Sequence, residues 1–387
     1  NAHVEYDFSK KFRSLIGKTH NSISEELEDG FPSLPVGCSI ILQKQSKEII
    51  LRNIKGAIVN RNKLISCMQS FSNETAIDFN LQNFLKIYPN ISLDDIYKVK
   101  IGKGGGWSRL CVLAGLIEDE INSDLEVAIY RGVFNRLLQC SSISYLKFVM
   151  NTMRFGTWDS NDDEQNQMAI MMLYDFWQKP GLDLGFNSIQ ESLNSLRKDP
   201  RLVDECLSVI EILLGNMNTL EYEMNVKFKS AIKLHSRYTR DQILVAFGLS
   251  TFEKKSSNRE GTAENKFLNT ELLFINLIKS EEDFSPTTMY DDYAISETLF
   301  HWQSHNAYGP ETPKGLSYIN HHKINKKILL FVREKANDEN GNTMGYVFIG
   351  EAQFIESEGA KPMNIKWELN EPMPNYLWKA SAKLSVG

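Results

Sequence analysis

Between residues 285 and 327 the sequence concentrates side chains able to stack on a ring and to hydrogen-bond its edge. Ser285-Pro286-Thr287-Thr288-Met289-Tyr290-Asp291-Asp292-Tyr293 leads into Leu299-Phe300-His301-Trp302-Gln303-Ser304-His305-Asn306, and Tyr318-Ile319-Asn320-His321-His322 follows. Paired aromatic rings beside Asp, Asn, Gln and His meet the needs of a pocket for a planar, hydrogen-bonding ring. Aromatic faces contribute about 1–3 kcal/mol per stacked base, and a carboxylate accepts from the amino group of cytosine. The same residues also suit a plain structural role. Aromatics at alternating strand positions commonly form core, and Trp302 and Tyr318 then need only a partner for indole and hydroxyl.

Other motifs are excluded by their spacing. His301 and His305 are four apart, yet the segment alternates like a strand, which separates the rings by about 13 Å. No cysteine lies nearby, so no metal site is expected. His321-His322-Lys323 has Ile328 five residues past the lysine, where a phospholipase-D-type nuclease needs Asp. In IGKGGGWS the glycines follow Lys103, the reverse of a phosphate-binding P-loop, and an interhelical turn is expected. DSNDDE at 159–164 places Glu164 and Ile170 where a calcium loop needs Gly and a bidentate carboxylate, leaving a solvated acidic turn. No residue is assigned a catalytic role.

Two kinds of element must position the ring-binding segment. Up to residue 235 the apolar residues recur at helical spacing, over 46–58, 125–153, 165–178 and 202–214. Ser92 with Asp95 forms a capping box, and Met168, Met171 and Met172 read as core filling. Beyond that point Thr239 and Gln242 cap a helix that stops at Gly248, and strands take over. Residues 271–279 form a continuous apolar run suited to a central strand. Residues 298–305 alternate, with Phe300, Trp302 and Ser304 opposite His301 and Gln303. Residues 326–333 and 344–349 flank Asn340-Gly341, a hairpin signal, Ile365, Trp367 and Leu369 face inward in MNIKWEL, and a short helix follows Pro374.

Composition shifts at the same place. Cys38, Cys67, Cys111, Cys140 and Cys206 all precede residue 235, while Pro286, Pro310, Pro313, Pro362, Pro372 and Pro374 follow it. The expected architecture is an all-α domain over 1–235 and an α+β domain over 236–387 built on a curled sheet or open barrel. The dispersed cysteines read as reduced thiols, and neither a charged-then-apolar leader nor a long apolar run is present, so a cytoplasmic protein is expected, with no membrane partner. In 387 residues the net charge is −6, so contact with nucleic acid must come from a local patch.

The segments FSPTTMYDDYAISETLFHWQSHN, SYINH at 317–321, LLFVRE at 329–334 and GAKPMNIKWELNEPMP resemble a domain that ends many bacterial multidomain proteins. EYDFSKKFRSLIG and LPVGCSIILQKQSKEIILRNIKGAI are similar to the stretch after the helicase lobes of the same proteins, the SauUSI-type, methylcytosine-dependent, ATP-dependent type IV restriction endonucleases. The resemblance implies a helical coupling region over 1–235 and an SRA/PUA-like target-recognition domain over 236–387. It also implies double-stranded DNA carrying methylcytosine or hydroxymethylcytosine as partner, read by base flipping, with the helicase and nuclease domains of a parent chain as further partners. Related layouts use a B3-like domain that reads unmodified sequence, and a protein-interaction or dimerisation module, hence a homodimer, is the third reading. Nuclease and helicase motifs do not occur, so this chain is expected not to be an enzyme and to need no cofactor; ATP and Mg belong to the absent motor and nuclease parts. On this reading Tyr290, Asp292, Tyr293, Trp302, Gln303 and Ser304 form the base pocket. Asn306, Tyr318, Asn320, His321, Lys323, Lys326, Lys327 and Arg333 face the DNA backbone, and the loop from Asn306 to Ser317 enters the duplex.

Overall fold

The computed structural model describes residues 59–74, 76–217, 221–223, 229–277, 292–338 and 341–382. The helix expected over 46–58, Cys38, Asn340 and the stretch 285–291 with Tyr290 lie outside the described residues.

The first part is helical: α1 (Arg61–Ser72), α2 (Leu81–Ile87), α3 (Leu93–Tyr97), α4 (Trp107–Leu113), α5 (Ser123–Asn135), α6 (Ile143–Phe155), α7 (Asp163–Phe176), α8 (Ile189–Leu196) and α9 (Pro200–Asn216). Their starts are written in the sequence. Asn60, Asn80, Ser92, Asn122, Ser142, Asp162, Ser188 and Asp199 each cap a helix, the side chain accepting from a backbone N–H of the first turn. Ser92 and Asp95 form the expected capping box, and Pro200 sits in the first turn of α9, where its missing N–H costs nothing. Asp162, from the acidic turn, caps α7, and Met168, Met171 and Met172 are buried.

The glycine-rich stretch is an interhelical turn whose amides serve the core. Glu205 of α9 is buried and accepts from the backbone N–H groups of Trp107 and Ser108, 2.8 Å each, and from the Tyr97 hydroxyl at 2.5 Å. Gly106 has φ +91, and a Cβ there would strike the Glu205 carboxylate, so the position requires glycine. A carboxylate of the chain itself thus occupies the amides that a nucleotide loop would offer to phosphate.

The second part holds β1 (Arg237–Tyr238), α10 (Arg240–Ala246), β2 (Thr262–Asn265), β3 (Thr270–Asn276), β4 (Tyr293–Ala294), β5 (Leu299–Gln303), α11 (Pro313–Ile319), β6 (Lys327–Arg333), β7 (Tyr346–Glu358), β8 (Asn364–Leu369) and α12 (Asn375–Ala382). Thr239 and Gln242 form the capping box of α10, which ends before Gly248 at φ +65. The strands build one mixed, open sheet in the order β2-β3-β6-β7-β8-β5-β4, with β1 also paired to β7. β3 and β6 run parallel and the other pairs antiparallel. Among the described residues β2 and β4 remain the ends of the path, so the expected curl into a barrel is not seen: the sheet is uncurled. The loop expected from Asn306 to Ser317 is in part helix, because Thr312 caps α11 and Pro313 opens it.

Both faces of the sheet centre are covered, which explains the unbroken apolar run of β3. Leu272, Phe274, Leu329, Phe331 and Phe348 join the helices in one hydrophobic cluster that extends from Val59. Leu273, Ile275, Ile328, Leu330 and Val332 face the other way, with Phe300, Trp302, Ile365 and Trp367, beneath Tyr318 of α11 and Leu377 of α12. The helical part and the sheet therefore share a core. No helix among the described residues is long and apolar enough to cross a membrane.

Candidate nucleic-acid interface

Strand register decides which of the sequence-selected residues meet. Trp302 is 5% exposed and packs edge-on against Tyr318, ring centroids 5.4 Å apart. Ser304 is fully buried; its Oγ accepts from the backbone N–H of Met363 at 3.0 Å and lies 3.2 Å from the His305 carbonyl. These two side chains are buried in the core. Alternation sends Gln303, His301 and Tyr293 to the opposite face, beyond the helices. There Tyr293, paired across from His301, stacks on its ring at 4.6 Å and 16°. Lys366 of β8 is the next residue across, bonded to Glu356. Gln303 donates through Nε2 to Asn364 Oδ1 at 2.8 Å, and its backbone N–H donates to Asp292 Oδ1 at 2.9 Å. Asp292 is buried, so its carboxylate fixes the start of β4 against the end of β5.

The residues selected as backbone contacts divide more sharply. Tyr318 is buried, its hydroxyl 3.5 Å from Glu271 Oε1. His321 is 1% exposed: Nε2 accepts from the Phe354 backbone N–H at 3.0 Å, and Nδ1 donates to the Lys326 carbonyl at 3.1 Å. That pattern fixes the neutral tautomer, and burial lowers the pKa of the ring. Lys326 is 3% exposed and lies between Glu264 and Glu271, 2.6 and 2.7 Å away. Lys314 bonds the same two carboxylates, so two ammonium groups and two carboxylates close a neutral cluster. Arg333 is 9% exposed, bonded to Asn276 Oδ1 and the Met344 carbonyl, and covers the Tyr346 ring. These groups hold the fold together, and His321, Lys326 and Arg333 are not available to phosphate. Lys327 is half-exposed and paired with Glu351 at 2.7 Å. Asn320 donates to the Leu316 carbonyl. Lys323 and Asn306 are exposed.

One end of the sheet nevertheless gathers most of what the sequence singled out. Thr270 pairs with Lys327, so the β2–β3 turn and the turn at 320–326 lie together where β3 and β6 begin. Glu358 pairs with Asn364 and Gln303 with Asn364, which brings the β7–β8 turn and the loop after β5 to that same end. Asp292 joins them through Gln303. Exposed Lys266, His305, Asn306, His322, Lys323 and Lys361 therefore rim one edge, with the Gln303–Asn364 amide pair at its base. Lys266 and Lys361 were missed by sequence reasoning, which had no means of knowing that strands distant in the chain start side by side.

A further opening near the sheet lies elsewhere. A cleft of about 640 Å³ at the end of β8 is lined by Tyr222, His235, Phe348, Asn370 and the carboxylates of Glu223, Glu351 and Glu371. None of the sequence-selected residues lines it.

Comparisons with known proteins add little to this geometry. No curated protein matches the chain. Among solved structures, a crystal structure of Arabidopsis thaliana SUVH6 in complex with SAM is similar at 12% identity and a TM-score of 0.28, over 63% of this chain and 43% of that one. The chain thus spans less than half of that protein, and a likeness of this degree carries no argument. Residues 232–380, the sheet with α10, α11 and α12, are similar to a family described as a domain of unknown function, DUF3427.

Proposed function

We propose that the chain is the recognition part of a DNA-restriction system, and that its SRA-like sheet domain reads duplex DNA carrying modified cytosine. The observation that carries the reading is the convergence at one sheet end of exposed lysines, histidines and amides, in a chain whose other cations near that end are consumed internally. Cations there contact phosphates, and the Gln303–Asn364 amides with Asp292 offer hydrogen-bonding groups to an extruded base. Discrimination by one methyl is worth about 1–3 kcal/mol in such a pocket. The sequence resemblance supplies the substrate class. On this proposal cleavage and ATP hydrolysis belong to other parts of a parent protein, and the helical region couples them to the reader.

Competition binding with two duplexes of identical sequence, one carrying 5-methylcytosine, tests the reading. Preference for the modified duplex by tenfold or more is expected. Equal affinity supports B3-like reading of unmodified sequence, and no binding at all, with a mass that rises with concentration, supports a dimerisation module.

A further inference from the structure

Phe267 is 96% exposed, at the tip of the β2–β3 turn. A phenyl ring left in water forgoes the stabilisation that burial returns, and no contact among the described residues covers it. The turn that carries it is braced. Asn265 accepts from the Leu268 N–H at 2.9 Å and donates to the Phe247 carbonyl at 2.6 Å. Asn269 adopts a left-handed conformation, φ +50, and donates to the Ile324 carbonyl at 2.7 Å, while its own carbonyl accepts from the Lys327 N–H at 2.9 Å. Two turns far apart in sequence are thereby fixed side by side. Together they present Phe267 and half-exposed Ile324 among exposed Lys266, His322 and Lys323. The nearby acids, Glu264 and Glu271, are already neutralised by Lys314 and Lys326. The patch is therefore positive, although the chain carries −6.

From this juxtaposition we propose that Phe267 is a wedge that enters the base stack of a DNA duplex, with Lys266 and Lys323 holding the phosphates on either side. The inference rests on the reading of this domain as a DNA-binding module and adds the element that opens the helix. A single apolar ring flanked by cations suits partial unstacking of one base step. Stable adsorption to a lipid surface needs a broader apolar face or a second anchor.

The test uses the whole chain and a 20-base-pair duplex with 2-aminopurine placed at successive positions. Wild type is expected to raise the fluorescence at one step on binding. Phe267→Ala is expected to abolish that rise and to weaken binding about tenfold, the scale of one lost stacking contact. Phe267→Trp restores both, and an unchanged melting temperature in all three proteins shows that the fold is intact. If wild type binds the duplex and Phe267→Ala matches it in affinity and fluorescence, the wedge is refuted while the DNA reading stands. Absence of duplex binding by wild type defeats both. Phe267-dependent sedimentation with vesicles of phosphatidylserine and phosphatidylcholine, without duplex binding, assigns the patch to membranes instead.

Discussion

Asp175 makes the junction between the helices and the sheet domain sensitive to pH. It is fully buried on α7, where Oδ2 accepts from the Tyr145 hydroxyl at 2.6 Å and from Gln242 Nε2 at 2.8 Å, and Oδ1 has no partner among the described residues. Burial pushes its pKa up to about 7, against the lowering pull of Tyr145, Arg136 and Gln242. An unfolded aspartate titrates near 3.9, so between these values the native state holds a proton that the unfolded chain has lost. Stability from this group is therefore complete at low pH and is lost as pH rises through about 7. Integrating between pH 5 and pH 8 gives a loss of about 2–3 kcal/mol. Asp175→Asn keeps an acceptor for Tyr145 and Gln242 and cannot ionise. Urea unfolding of both proteins at the two pH values, compared as a difference of differences, isolates the group from every other titration. The wild type is expected to lose about 2–3 kcal/mol more than Asp175→Asn on going from pH 5 to pH 8. Parallel pH dependence in the two proteins refutes the reasoning.

Other predictions follow from the same structure. Glu205→Ala leaves the amides of Trp107 and Ser108 and the Tyr97 hydroxyl without their acceptor in the core, and is expected to cost about 3–5 kcal/mol in urea unfolding. Trp302→Ala is expected to cost about 3–5 kcal/mol, as a core truncation does, whereas Tyr293→Ala on the open face shifts the melting temperature little; equal losses would show that the two faces were assigned wrongly. With Lys266, Lys323 and Lys361 as the phosphate contacts, log Kobs against log salt is expected to have a slope of about −3, and a slope near −8 contradicts this set. Lys326→Met leaves that slope unchanged, since its ammonium is held by Glu264 and Glu271.

Much of the fold was legible locally. Capping residues mark where the helices begin, and the alternation of Phe300 and Trp302 against His301 and Gln303 gives the orientation of β5 without any structure. What the sequence hides is pairing at a distance. Lys326 and His321 read as exposed cations because their partners, Glu264, Glu271 and Phe354, lie 33 to 62 residues away. The same holds for Trp302 and Gln303, adjacent in the chain and sent to opposite faces, so that grouping them in one pocket joined side chains the sheet separates. The helix α11 did carry a signal, Thr312-Pro313, an N-cap followed by proline in the first turn. Phe267 had none, because the exposure of a lone aromatic in a turn shows only in the folded chain.

The hydrophobic cluster that runs from Val59 to Phe348 bears on how the molecule can be divided. A chain cut where composition changes would strip Leu272, Phe274, Leu329, Phe331 and Phe348 of their cover and leave an aromatic-rich slab open to solvent, a surface that invites aggregation. A soluble recombinant form of the sheet domain has to retain the helices that roof it, or replace that slab with polar side chains.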